Sequence, residues 1–461
     1  MKIITLPPSA RYSQLSGPSS IRLNNAINLR GPKALTSLVK LCRNTPGGVG
    51  ELYHRDQLRD IAYGAVDHRV RAAASLLINK ATAYSDINKA AVRTAALLLP
   101  KAALHVHLDG SVRPQTIFDL AKEQGIELSQ ISGRIPKEYT VEDIDRVVRI
   151  REVIKDFNAF LTDKFALSVA VMQTREALIR TARELVEQAY LDGCLHVEAR
   201  FAPCLHTKKG LAYQTIIKSV LEGLREGERE FGISTSLILC MYRNLIDVPE
   251  FKDNPQETVE HAIFFGLPID LAGKEDGYPV HLFRQQFELA ARAGLPITIH
   301  AGEMFDTELN ILAAVNMGAT RIGHGIRVTD LHSVEEHLDE FKDVTFEVCP
   351  TSNEQLFCLR ENDIRHHPVN RMLELGLNVC INPDNITANN TTISHELARL
   401  HETGKISLLT KNTRRLASLP RRTALAGVKA AFASVDRKAS MLVEVLAYCG
   451  QIDALLELVL P

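Results

Sequence analysis

The 461-residue chain is 45% hydrophobic and 24% charged, and its 54 Lys and Arg nearly balance 55 Asp and Glu, leaving a formal net charge of −1. That length has room for a barrel of about 250 residues or more plus additions, while the neutral balance and the lack of a basic stretch interleaved with aromatics argue against nucleic acid as a partner. No apolar run reaches the ~20 residues of a membrane span, and the eight Cys (42, 194, 204, 240, 349, 358, 380 and 449) form no C-x-x-C pair, so they read as reduced, buried thiols of a cytoplasmic protein.

Residues 1–50 contain no Asp or Glu but carry Lys2, Arg11, Arg22, Arg30, Lys33, Lys40 and Arg43. A flexible basic tail is expected there, with an organelle or secretion signal as the alternative. Over 51–98 apolar residues such as Leu58, Ile61, Val70, Ala73, Leu76 and Leu77 recur at helical spacing. This predicts a helical extension that packs on the main domain or mediates a homodimer.

Beyond Pro100 short β-prone runs alternate with helical segments, the runs being ALHVH (103–107), LHVEARF (195–201), TSLILCM (235–241), PIDLA (268–272), PITIH (296–300), RIGHG (321–325), TFEVC (345–349) and NVCIN (378–382). Eight such strands predict an α/β fold, a (β/α)8 barrel over 99–461, with a helical insertion at about 141–172 lying over one end.

His105, His107, His300, His324 and Asp384 fall at or just past the C-terminal ends of these runs, the face that carries active sites in such barrels. Strand alternation turns His105 and His107 to one side and Val106 to the other. His300 closes the fifth run and Asp384 follows the eighth, so three His and one carboxylate share one mouth and suit a catalytic zinc ion, one per chain, or another divalent metal. Glu303, three residues past His300 across a Gly, is positioned as general acid/base, with a solvated loop carboxylate as the plain alternative. His324, between two glycines, is the candidate to hold an attacking hydroxide; a satisfied strand-end histidine is the alternative. Glu198 and Arg200 read as a buried pair beneath the site, Ser352 and Asn353 as pins of the loop after the seventh strand, and His206, His332, His366 and His367 as surface or capping residues.

The stretches LPKAALHVHLDGSVRPQTI, HVEARFAPCLHT, IDLAGKEDGYP, ITIHAGE, RIGHGIRV, EVCPTSN and INPDNITANNTT, in this order, resemble the adenosine deaminase family of metal-dependent amidohydrolases from about Leu99 to His395. The resemblance implies zinc ligands His105, His107, His300 and Asp384, with Glu303 donating to purine N1 and His324 orienting the hydroxide. It also implies that Asp109 binds the ribose 5′-hydroxyl and that the Gly273 N–H reaches purine N3. The implied reaction is hydrolysis of adenosine to inosine and ammonia.

Three departures bear on substrate choice. Asn385 stands where many members carry an Asp against purine N7, although an Asn amide donates to unprotonated N7 directly. Lys274 stands where an acid often follows the DLAG glycine, and MFDTELN follows HAGE. Adenine, a modified nucleoside or a nucleotide are alternative substrates, and a degenerate binding protein is a non-enzymatic one. The P-C-x-x-C context of cytosine-type zinc deaminases is absent.

Overall fold

The computed structural model describes residues 26, 28, 30–45, 48–54, 57–65, 67–82, 86–409 and 416–460. The chain falls into two compact units: the stretch up to Pro100 with Ser407–Arg421 and Ser440–Pro461, and a second unit of Lys101–Ile406 with Arg422–Ala439.

In the first unit, helices Pro32–Asn44, Gly48–His54, Gln57–Gly64, His68–Ala81 and Ile87–Leu98 are joined by most of the C-terminal helix Val435–Val459. Two boundaries therefore differ from those expected. Residues 1–25 of the basic tail lie outside the described residues, but Pro32–Asn44 is a helix that buries Ala34, Leu35, Leu38, Leu41 and Cys42. Their three-to-four spacing carries the helix, although the segment holds no acidic residue. At the other end, the buried Val445, Tyr448, Ile452, Leu455 and Leu456 belong to this unit. Asp67 caps His68–Ala81 by accepting the Arg69 N–H at 2.9 Å, and its other oxygen takes the Gly31 N–H at 2.8 Å.

The second unit is a (β/α)8 barrel. Its strands are β1 (Lys101–His107), β2 (Cys194–Phe201), β3 (Ser234–Tyr242), β4 (Ile269–Ala272), β5 (Thr298–Ala301), β6 (Arg321–His324), β7 (Thr345–Val348) and β8 (Asn378–Ile381). Each lies within two residues of an apolar run read from the sequence, because parallel strands covered on both faces are continuously hydrophobic.

All pairs are parallel, in two four-stranded halves, β1 to β4 and β5 to β8. The halves meet at the single bridges Ile269–Ile297 and Val106–Asp384. At the second seam Asn382 Oδ1 also accepts the N–H groups of Leu104 and His105, at 2.8 and 3.1 Å.

The interval 141–172 holds helices Val141–Val148 and Phe157–Val171, the first opened by a capping box between Thr140 and Asp143. The eight cysteines are free and buried, and among the described residues no helix is long and apolar enough to cross a membrane.

Candidate active site

A cavity of about 320 Å³ opens at the C-terminal ends of the strands, lined by His107, Asp109, Gly273, His300, Glu303, His324, Asp384 and Asn385 among others. His105 lies beneath it, fully buried. The sequence candidates thus converge from β1, β4, β5, β6 and the turn after β8. Phe157, Phe160 and Phe165 of the inserted helix, with Leu205, Leu245 and Leu356, supply an apolar wall. Lys274 and Met304 do not line the cavity; the Lys274 ammonium pairs with Asp276 at 3.1 Å.

Facing imidazoles give the site its character. His107 Nε2 and His300 Nε2 are 3.3 Å apart, and Asp384 Oδ1 lies 3.3 Å from His107 Nε2 and 3.4 Å from His105 Nε2. His105 Nε2 is buried with no hydrogen-bond partner. The ligand atoms of His105, His107 and His300 lie within 4.8 Å of one another. Buried nitrogens aimed at each other beside a carboxylate are costly unless a cation is shared among them, so the donor set fits a divalent metal.

Partners behind the ring fix which nitrogen faces inward. His105 Nδ1–H donates to Glu347 Oε2 at 3.0 Å and His300 Nδ1–H to Asp270 Oδ2 at 3.0 Å, which leaves each Nε2 free. Arg200 bridges the two carboxylates, with Nη1 2.9 Å from Asp270 and Nη2 2.7 Å from Glu347. Burial alone would raise Asp270, but His300 and Arg200 hold its carboxyl well below the usual range. Arg200 and Glu198 are both buried but do not pair as expected: Glu198 takes Arg321 at 2.7 Å. Inward-facing residues of a closed barrel meet across its interior, so partners on β4 and β7 outcompete the i, i+2 neighbour.

Burial pushes the His107 and His300 imidazoles below their usual range, keeping them neutral. Burial, reinforced by Asp384 and Glu275, pushes the Glu303 carboxyl well above its usual value, against the counter-pull of Arg243. Burial likewise raises Asp109 to about 6.

The backbone is bent to present these groups. Asp384 and His324 both hold left-handed conformations, with φ 62° and 58°, at a cost on the order of 1–3 kcal/mol each. Ser352 Oγ donates to Asp384 Oδ2 at 2.6 Å, and Asn353 lies 3.1 Å from His324 Nδ1, so this pair secures site residues beyond its own loop. Gly302, at φ +68°, turns the chain between His300 and Glu303; a Cβ there would meet Ile311 Cδ1 at 2.4 Å.

Glu275 escaped the sequence reading, overshadowed by its neighbour Lys274. Its carboxylate accepts the N–H of Gly302 at 2.8 Å and of Glu303 at 3.0 Å, and the Asn310 amide at 2.9 Å. Glu275→Ala strands these buried donors at about 1–3 kcal/mol each; the urea midpoint is expected to fall accordingly, and an unchanged midpoint would refute this anchoring role. Of the surface or capping histidines expected, His206 and His367 are both buried, His206 lying 3.0 Å from the Met172 carbonyl and His367 accepting the Val369 N–H at 3.1 Å, a capping contact.

A family profile described as adenosine deaminase matches residues 100–448. The chain belongs to the adenosine deaminase family. It is a hydrolase of the kind that acts on cyclic amidines. It is 36% identical to an adenosine deaminase of Enterococcus faecalis over 353 residues, covering 74% of this chain and 94% of the relative. It is 40% identical to an adenosine deaminase of Clostridium botulinum over 306 residues, covering 66% and 87%. Among solved structures it is similar to an adenine deaminase from Arthrobacter aurescens, with a TM-score of 0.64, 30% identity, and coverage of 75% of this chain and 98% of that one.

Proposed function

We propose that the protein is a zinc-dependent deaminase of adenosine and 2′-deoxyadenosine, giving the inosine product and ammonia. The observation that carries this reading is the pair of facing imidazole nitrogens, His107 and His300, 3.3 Å apart beside Asp384 and an acid with a raised pKa. In this reading His105, His107, His300 and Asp384 hold the metal. Zinc bound there supplies Lewis acidity, bringing the pKa of water to about 7 so that hydroxide is present at neutral pH.

The chain's own groups do the rest. Glu303, kept protonated, donates to purine N1 and so draws electrons from C6, where hydroxide adds. His324 donates a hydrogen bond to the incoming oxygen. The proton of the added hydroxyl then passes to the amino group, the C6–N6 bond breaks as the C6 carbonyl forms, and ammonia leaves; the proton given up when water became hydroxide restores Glu303. Gly273 N–H meets purine N3, the Asn385 amide donates to N7, and Asp109 accepts from the ribose 5′-hydroxyl, while the phenylalanine wall excludes water. The eight free, buried cysteines support a reducing, cytoplasmic setting.

An absorbance assay with adenosine, 2′-deoxyadenosine, adenine and AMP, run beside metal analysis, tests this; a zinc-loaded protein inert on both nucleosides would sink it. The similarity to the Arthrobacter aurescens adenine deaminase favours adenine as the second reading. Asp109 separates the two. Asp109→Ala is expected to lower kcat/KM for adenosine about 10- to 100-fold, the worth of a hydrogen bond to a charged group, and to leave adenine nearly untouched. Equal losses on both substrates would assign Asp109 to backbone support instead. AMP is disfavoured because its phosphate would meet the Asp109 carboxylate.

A further inference from the structure

His324 has two ring nitrogens, and only one arrangement of its proton lets it donate into the cavity. Its Nδ1 faces Asn353 Nδ2 at 3.1 Å, and its Nε2 faces Glu303 Oε1 at 3.5 Å. Asn353 Oδ1 in turn lies 3.3 Å from His367 Nε2, and His367 Nδ1 lies 3.1 Å from the backbone nitrogen of Val369.

One end of this chain is unambiguous, because a backbone N–H can only donate. His367 Nδ1 must therefore accept, which places the proton of a neutral His367 on Nε2. That N–H needs an acceptor, so the Asn353 amide is fixed with Oδ1 toward His367 and Nδ2 toward His324. His324 Nδ1 must then accept as well, and its proton is carried on Nε2, facing the cavity.

We infer that His367, acting through Asn353, is the positioning residue that sets the tautomer of His324. Its relation to turnover rests on the donor role proposed above for His324. His367, Asn353 and His324 are all buried, at 1%, 0% and 1% exposure, so water does not compete for these bonds. Burial, helped by Lys405 and Arg327, pushes the His367 imidazole down to about 3, so it stays neutral and the chain of bonds keeps one direction. No contact between His367 and the cavity is needed; the information passes through the amide.

Two substitutions separate the bond from the bulk. In His367→Gln the side-chain amide nitrogen replaces Nε2 and still donates to Asn353. In His367→Asn the amide oxygen replaces Nδ1, still accepting from Val369, but no donor reaches Asn353. His367→Asn is expected to lower kcat roughly 10- to 100-fold with KM and metal content unchanged, whereas His367→Gln stays within about threefold of the parent.

The direct readout is 15N NMR of the full chain with labelled histidines, the His324 signals being identified by their loss in His324→Asn. The parent is expected to show His324 protonated on Nε2 with a bare, hydrogen-bonded Nδ1, and His367→Asn to lose that preference. A parent His324 protonated on Nδ1 overturns the inference, and that result holds even if a variant fails to fold. So does a His367→Asn variant with parental kcat and parental nitrogen shifts. A metal-loaded protein inactive on every purine would defeat the proposed function alone, since the nitrogen pattern is read without turnover.

Discussion

Replacing Glu303 with glutamine is expected to lower kcat by about 10²- to 10⁴-fold, the usual contribution of a positioned proton donor, while metal content and affinity for the purine product persist. The residue is 4% exposed, and burial, then the charges of Asp384 and Glu275, push its carboxyl well above the ordinary range. A carboxyl so raised keeps its proton as pH climbs toward neutrality, and loses it only on passing its elevated pKa. The parent should therefore lose activity on the alkaline side, a limb that the glutamine variant, having no proton to lose, should lack. Glutamine preserves the shape and an N–H but cannot deliver a proton. Steady-state kinetics with metal analysis decide the matter: a kcat within tenfold of the parent would remove Glu303 from proton transfer.

Stripping the metal with a chelator is expected to abolish turnover, lower the thermal midpoint, and be reversed by one equivalent of zinc. A ligand that binds only the folded state stabilises it by about 4 kcal/mol at a thousandfold excess over Kd. Without a cation, His107 Nε2 and His300 Nε2 crowd each other at 3.3 Å beside the buried Asp384 carboxylate, one oxygen of which is held by Ser352 while the other faces the imidazoles. His300→Ala should reproduce the chelated state and resist rescue. Burial pushes both imidazoles below their usual range, which favours the neutral form that binds a metal. A chelated protein with the midpoint and activity of the untreated one would show that these four side chains hold no metal that matters.

The barrel was legible because its signal is local and repeated. The strands are short apolar runs, and polar residues at or just past the ends of several of them reach the cavity, as His107, His324 and Asp384 illustrate. What lies behind those residues was not legible. Asp270 and Glu347 each sit within an apolar strand, and a buried acid in such a run is a sign of a partner, but the partner is chosen by closure of the barrel. Arg200 meets residues from β4 and β7 that are 70 and 147 positions away in sequence, and no spacing rule reaches that far. The interior place of His367 was hidden for a related reason: next to His366 and before Pro368 it has the look of a turn residue, and only its burial reveals what it touches. The division of the chain was hidden because the apolar period of Val435–Val459 shows that a face is covered, without showing by what.

The distribution of the four candidate metal-binding side chains has a further consequence. His105 and His107 belong to the first half of the barrel, and His300 and Asp384 to the second, while the two sheets share one isolated bridge at each seam and are also joined by side-chain bonds such as Arg200–Glu347 and Glu198–Arg321. The supporting pairs obey the same partition, since Asp270 of the first half holds His300 of the second and Glu347 of the second holds His105 of the first. An ion held by these groups would tie the two halves together, since neither half alone carries all four side chains.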